Sequence, residues 1–444
     1  MKQTKEMIKS NNNFSSTFGF ILACVGSAVG LGNIWLFPYR LGQYGGAAFL
    51  IPYILFVVLF GYVGLSAEFA IGRMAQTGTL GSYKLCWKNR KHGEIGGILG
   101  WIPLLGSLGI ATGYAVIIGW VLRSIWGAMS GELFMLPSAE YFSQATGDFG
   151  SLFWHIIIIV VTICLLMTGT VARIEKVNKI LIPIFYCLFA FLAIRVSFLQ
   201  GAIEGYRFLL IPKWEALLNV ETWVMAMGQA FFSLSITGSG MIVYGSYLSK
   251  KEDVIGASLR TGLFDTLASL LSAFAIMPAV FAFGIEPSSG PSLMFMTIPE
   301  IFKQMPLGQL LASIFFISVL FAGITSLINM FEAVIESVEH QFSLNRKIAA
   351  LICGGISLLV GIFIENEVKV GYFMDFITII IVPIGAVLGA VSIYFVLGKG
   401  KIEEEINCGK KKKVSALFSN IARYVYVPLT IIIFILGLIY KGIG

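Results

Sequence analysis

Apolar residues in this chain run in long blocks rather than alternating with polar ones. A run of about 20 apolar residues is long enough to cross a bilayer as a helix. Such runs predict spans near 15–40, 44–72, 95–126, 151–170, 176–199, 222–248, 256–284, 306–338, 347–364, 370–397 and 422–441. That is eleven. The segment 286–304 reads as a short re-entrant or surface helix. The organisation that follows is a 1–14 N-terminal segment, a five-helix unit over 15–199 and a loop over 200–221. A second five-helix unit over 222–397, a loop over 398–421 and a last helix within 422–444 complete it.

Composition narrows the class. The chain is 57% apolar and 12% charged, with a mean hydropathy of +0.86, whereas soluble domains carry about a quarter charged residues. A cytosolic enzyme, a disordered scaffold and a disulfide-built secreted module are excluded, and an all-α polytopic membrane protein remains. The six cysteines are scattered singly without metal-ligand spacing.

The formal charge of +7 would suit nucleic acid, but 23 of the 31 basic residues fall in the N-terminus and alternate loops. Lys2, Lys5, Lys9, Arg73, Lys84 and Lys410–Lys413 are among them. That asymmetry predicts a cytoplasmic face and N-terminus, an extracellular C-terminus and residence in the cell (inner) membrane, with lipid rather than nucleic acid as partner. Homo-oligomerisation is left open.

Three acids fall deep in predicted spans: Glu68, Asp265 and Glu332. No base is read at comparable depth. An ionised group at the bilayer centre costs roughly 2.5–3.5 kcal/mol on insertion scales, so each acid calls for a cation, a proton or freed backbone N–H groups. The first span contains Gly26-Ser27-Ala28-Val29-Gly30-Leu31-Gly32-Asn33 and then Pro38; the sixth contains Ser233-Leu234-Ser235-Ile236-Thr237-Gly238-Ser239-Gly240. Glycine in a helix interior costs about 1 kcal/mol relative to Ala, and proline about 3. Both segments therefore read as unwound at mid-membrane, and broken helices at matching places in two halves point to an inverted-repeat transporter. Unwinding frees carbonyls for a cation and N–H groups for a carboxylate, a combination suited to a zwitterionic amino acid.

The segment Gly26–Pro38, the stretch Gln229–Tyr247 and the run Phe321–Ser326 resemble the neurotransmitter:sodium symporter family, most closely its bacterial eleven-helix amino-acid transporters. The resemblance implies the five-plus-five inverted-repeat fold and two Na+ sites. One would use Ala28, Asn33, Ser233 and Asp265 with the substrate carboxylate. The other would use Gly26, Val29, Ala322, Thr325 and Ser326. Substrate would meet Ala28, Leu31, Gly32, Ile110, Tyr114, Phe232, Ser233, Ser235, Gly238, Ser326 and Met330, with Phe232 as an aromatic lid. Glu68 and Glu332 would accept N–H groups freed in the sixth span, with Gln229 also supporting the site. Animal relatives need chloride; the carboxylate of Asp265 would supply that negative charge, so chloride is not required here.

Some positions depart from the family pattern. Gly238 replaces a bulky residue, and Thr237 and Ser239 add hydroxyls. This reads as a roomy pocket for an aromatic amino acid with a polar tip, tyrosine first, tryptophan second and branched aliphatic substrates third. At the outer gate Leu36 replaces the expected Arg while Asp375 is retained; Arg40, one turn further on, either reaches Asp375 or snorkels at the interface. At the inner gate Asn11 and His340 replace the expected ion pair, while Tyr247 matches. A channel or an amino-acid sensor is the alternative. An intramembrane protease lacks the His–Ser or paired-Asp set, and no enzyme is expected.

Overall fold

The computed structural model describes residues 14–88, 92–168, 171–286, 290–410 and 413–442. The Lys2, Lys5, Lys9 and Asn11 expectations lie outside them. Helices make up nearly the whole of the described chain. We number those that build the membrane unit: α1 Thr17–Ala28, α2 Gly32–Gln43, α3 Gly46–Ala75, α4 Thr79–Lys88, α5 Gly93–Ser130, α6 Leu152–Met167 and α7 Val171–Ser197. The second half holds α8 Val220–Ser233, α9 Gly240–Ser246, α10 Val254–Ala282, α11 Gly308–Phe342, α12 Arg346–Phe363 and α13 Glu367–Leu397, followed by α14 Leu417–Ile439.

Among the described residues, eight of these helices are long and apolar enough to cross a membrane by themselves, and the bent pair α1–α2 makes a ninth span. The 16-residue α6 and the two-piece α8–α9 supply the fourth and sixth of the eleven expected segments. Both breaks fall where the glycines predicted them. The first and sixth segments are therefore each split, one per half, and an eleventh helix follows the second half. Of the 286–304 region, residues 290–303 form short helical turns, ending in Ile298–Lys303.

Burial follows position. In the most apolar part of α5, 78% of residues are buried, against 28% in α7 and 33% in α14. The apolar side chains left on peripheral helices, such as Val160, Ile194 and Leu359, face outward, where hydrocarbon rather than water is the solvent. In α1, ten of the twelve residues are buried. It packs between α7, α10 and α11, so the first break sits at the centre of the bundle.

Two expectations about charge need correction. The fifth helix begins at Val171 rather than near 176, so Glu175 lies inside it and is buried; Ser15, Ser16 and Lys179 bind its carboxylate. A base read as part of a loop is also buried in the protein, in the last turn of α3. Arg73 is fully buried and pairs with Glu405 at 2.6 Å.

Candidate functional site

The first break is a short extended step. α1 ends at Ala28, Val29 is extended (φ −69°, ψ 113°), and α2 resumes at Gly32 with its axis turned by 61°. The freed backbone groups find named partners. Gly30 N–H donates to Asn33 Oδ1 at 2.8 Å, and Leu31 N–H donates to the Tyr114 hydroxyl on α5 at 2.8 Å. A side chain at position 30 would collide with that hydroxyl, its Cβ only 2.4 Å away. Glycine there is what lets α5 approach the break.

The second break runs from Leu234 to Ser239. Ser235 (φ 53°) and Gly238 (φ 76°) both take left-handed backbone conformations, which end α8 and turn the chain before α9. Ser235 Oγ donates to the Ser27 carbonyl at 3.1 Å and so ties the two breaks together. Gly238 N–H donates to Glu68 Oε1 at 2.8 Å. A buried carboxylate thus holds an N–H that helix α9 cannot use.

Two polar clusters form around these breaks. In the first, the Asn33 amide Nδ2 donates to Asp265 Oδ1 (2.8 Å) and to Ser269 Oγ (2.7 Å) and lies 3.2 Å from Ser233 Oγ. Ser233 Oγ donates to Asp265 Oδ2 at 2.5 Å. Asp265 is fully buried and accepts these bonds from two neutral donors.

In the second, Ser326 Oγ on α11 lies 3.1 Å from the Gly26 carbonyl, 2.9 Å from that of Val29 and 3.3 Å from that of Ala322. Thr325 Oγ1 lies 2.9 Å from the Ala322 carbonyl. One hydroxyl hydrogen serves one strong bond at a time. Three carbonyls around one hydroxyl therefore crowd more lone pairs than its proton can satisfy. The second cluster is all-oxygen, the donor chemistry of a small hard cation, and fits sodium; the first gathers the oxygens of Asp265, Ser233 and Ser269 around the Asn33 amide nitrogen.

Between the breaks lies a cavity of about 190 Å³. Ala28, Leu31, Gly32, Ile110, Tyr114, Phe232, Ser233, Ser235, Ser326 and Met330 all line it, and so do Asn33 and Gln229. Sequence reasoning missed several of its walls. Trp35, Leu36 and Ser107 line it, as do Met374 and Thr378 of α13. Ser107 could have been found: it lies one turn before Ile110 and two before Tyr114 on the same face of α5. Ser269 could have been found as well, one turn after Asp265. Nothing in the local sequence flags Met374 or Thr378, because only the packing of α13 beside the breaks brings them in.

Gly238 is the clearest misplacement. It does not line the cavity. A Cβ there would point at the Gly385 carbonyl (2.6 Å) and the Tyr83 hydroxyl (2.9 Å). The glycine answers a backbone turn and a close approach of α13, not a need for room around a ligand. Ser239 is likewise buried, its hydroxyl bonded to Ser107 Oγ (2.7 Å) and Thr237 Oγ1 (3.0 Å). Only Thr237 of the added hydroxyls reaches the cavity, beside Ser107 and Asn329.

The gates also differ from expectation. Arg40 is buried, with Nη1 donating to Gln229 Oε1 at 3.2 Å, while Asp375 is exposed. Among the described residues no ion pair joins Arg40 to Asp375. Among the described residues Glu332 accepts no N–H from the sixth segment. It takes the Tyr247 hydroxyl (2.6 Å) and an ion pair from Arg346, which also reaches Glu339 at 3.5 Å. Arg346 opens α12 in sequence but folds back under α11, so a base does lie beside this acid. Phe14 packs edge-on against Tyr247 and donates its backbone N–H to the Tyr247 carbonyl at 3.3 Å.

A family model described as the sodium:neurotransmitter symporter family matches residues 11–141 and 133–442. An uncharacterized sodium-dependent transporter of Bacillus subtilis (strain 168) is 33% identical over 96% of this chain and 97% of its own length. Another, from Methanocaldococcus jannaschii, is 30% identical over 95% of this chain and 90% of its own length. Among solved structures, MhsT in complex with L-phenylalanine superposes with a TM-score of 0.82 at 32% identity, covering 96% of this chain and 99% of that one.

Proposed function

Given that this chain belongs to the sodium:neurotransmitter symporter family and is a sodium-dependent membrane symporter rather than an enzyme, we propose that its cargo is an aromatic amino acid. Import would proceed by alternating access, coupled to two sodium ions and independent of chloride. The observation that carries this reading is the cavity that joins the two helix breaks to both polar clusters.

In this reading the amino-acid carboxylate lies at the N-terminus of α2, against the amides of Leu31 and Gly32 and the Tyr114 hydroxyl, where the helix dipole favours negative charge. Its ammonium meets the carbonyls of Ala28, Phe232 and Ser233, with the Ser235 hydroxyl near. The first sodium is held by the Ala28 carbonyl, Asn33, Ser233, Asp265 and the substrate carboxylate. The second is held by the carbonyls of Gly26, Val29 and Ala322 with Thr325 and Ser326. Sodium favours the outward-open form, substrate completes the first site, and Phe232 with Tyr114 closes over it. Loss of the second sodium permits inward release.

Asp265 supports chloride independence. A carboxylate fixed among Asn33 and Ser233 supplies beside the first sodium the negative charge that a bound anion would otherwise bring. Two observations support an aromatic cargo: MhsT holds phenylalanine, and Ser107, Thr237 and Asn329 offer polar groups in a wall otherwise lined by Ile110, Phe232 and Met330. Polar groups placed for a phenol hydroxyl favour tyrosine, since a site built to bond a hydroxyl rejects the analogue lacking it. The N-terminus is assigned to the cytoplasm on the charge asymmetry of the loops.

Uptake of labelled tyrosine by purified protein in liposomes tests the reading. Accumulation should require an inward sodium gradient and persist when gluconate replaces chloride. Unlabelled tyrosine should compete better than tryptophan, and tryptophan better than leucine. Flux without accumulation would indicate a channel, and leucine as the strongest competitor would overturn the aromatic assignment.

A further inference from the structure

The second oxygen cluster has a polar neighbour outside its own helices. Asn178 is fully buried two turns into α7. Its Nδ2 donates to the Ile174 carbonyl one turn earlier at 2.8 Å. That bond fixes the amide and turns Oδ1 away from its own helix. Among the described residues Oδ1 has no hydrogen-bond partner, although it is shut off from solvent. Buried amide oxygens are seldom left this way, least of all where the surroundings hold no bulk water.

Oδ1 faces Gly26 on α1. A Cβ built on Gly26 would lie 1.9 Å from it and 3.0 Å from Thr325 Cβ. Asn178, Gly26 and Thr325 therefore meet at one point, and that point adjoins the cluster to which Gly26 gives its carbonyl and Thr325 its hydroxyl. The oxygens of that cluster are all neutral. A further neutral oxygen would strengthen it without adding a fixed charge, which suits an ion that must leave in every cycle.

We propose that Asn178 supplies a further oxygen to the second cation site, its Oδ1 meeting the ion or a water bound to it. The inference rests on the two-sodium reading above. It makes Asn178 the α7 contribution to a site otherwise built from α1 and α11, and it accounts for Gly26 twice: its carbonyl faces the ion, and its missing side chain admits the amide.

Thermal unfolding of the purified protein in detergent, titrated with sodium chloride against choline chloride and without amino acid, tests this directly. Wild type should be stabilised by sodium. Asn178→Ala should need about tenfold more sodium for half of that stabilisation, while unfolding near the wild-type temperature in choline. Asn178→Asp keeps the oxygen and adds a charge, so it should need less sodium than wild type. An unchanged sodium requirement in Asn178→Ala overturns the inference. So does an Asn178→Asp variant that weakens in parallel with alanine, because that would assign the effect to the bond with Ile174. If Asn178→Ala does not fold, the direction of the shift in Asn178→Asp decides. A wild type that sodium fails to stabilise would instead overturn the two-sodium reading itself, a distinguishable result.

Discussion

Ser233 and Asp265, on different helices and 32 residues apart, share a 2.5 Å hydrogen bond in the centre of the bundle. The serine closes α8 at the second break, and the aspartate sits within the unbroken α10. The bond therefore couples the segment that must rearrange to one that stays continuous, and it does so through a group that carries the only fixed charge in the first cluster.

Asp265→Asn removes that charge and keeps the shape. Sodium-driven uptake in chloride-free medium should fall by at least about tenfold, the equivalent of about 1.4 kcal/mol. Part of it should return when chloride is added. Uptake measured in gluconate and in chloride checks this; a variant as active as wild type in gluconate would remove Asp265 from charge balance.

Asn33 touches Asp265, Ser233 and the Gly30 amide at once. Asn33→Ala should weaken sodium and substrate together, because in the proposed site they share ligands. Equilibrium binding of labelled tyrosine across a sodium series measures both. Loss of one with the other intact would contradict the shared site.

Gly238→Ala should act on stability rather than selectivity. The new Cβ meets the Gly385 carbonyl at 2.6 Å, and φ is 76°, so the cost is strain plus a steric shift, about 1–3 kcal/mol. Thermal unfolding should show a lower midpoint, while the order of competing amino acids stays the same.

Ser107→Ala and Thr237→Val remove cavity hydroxyls without changing bulk greatly. Each should reduce preference for tyrosine over phenylalanine several-fold, by about 1 kcal/mol for a neutral hydrogen bond. Competition by the two amino acids reads the ratio directly.

Glu332→Gln leaves Arg346 without its nearest counter-charge and weakens the Tyr247 bond. Removing one partner of a buried pair costs about 3–5 kcal/mol; with Arg346 partly exposed, about 2 kcal/mol is expected. The inner face should open more readily, and thiol labelling of a cysteine introduced at Phe14 should speed up relative to the same cysteine in the parent chain.

The helical segments were legible because span length and glycine placement are local properties. Gly30 falls within the first break and Gly32 opens the helix after it, whereas Gly26 stays helical; Asn33, Ser233 and Asp265 are oxygen-bearing residues beside breaks or deep in a span, and Thr325 and Ser326 follow from the family resemblance. Gly238 was misread because a glycine has two uses, making room or permitting a turn, and only the position of the Gly385 carbonyl distinguishes them. Glu332 was assigned the wrong partner for a similar reason: Arg346, 14 residues later, lies beyond the helix end and returns beneath it.

By itself the sequence determined the class, the eleven apolar segments, the two breaks and the residue types around them, since hydropathy and helix propensity act over a few turns. Tertiary structure decided which side chains meet. It brought Ser107, Met374 and Thr378 to the cavity, Ser269 to Asn33 and Asn178 to Gly26. Those contacts depend on how helices distant in the chain pack side by side, and side-chain distances across that packing have no period in the sequence to reveal them.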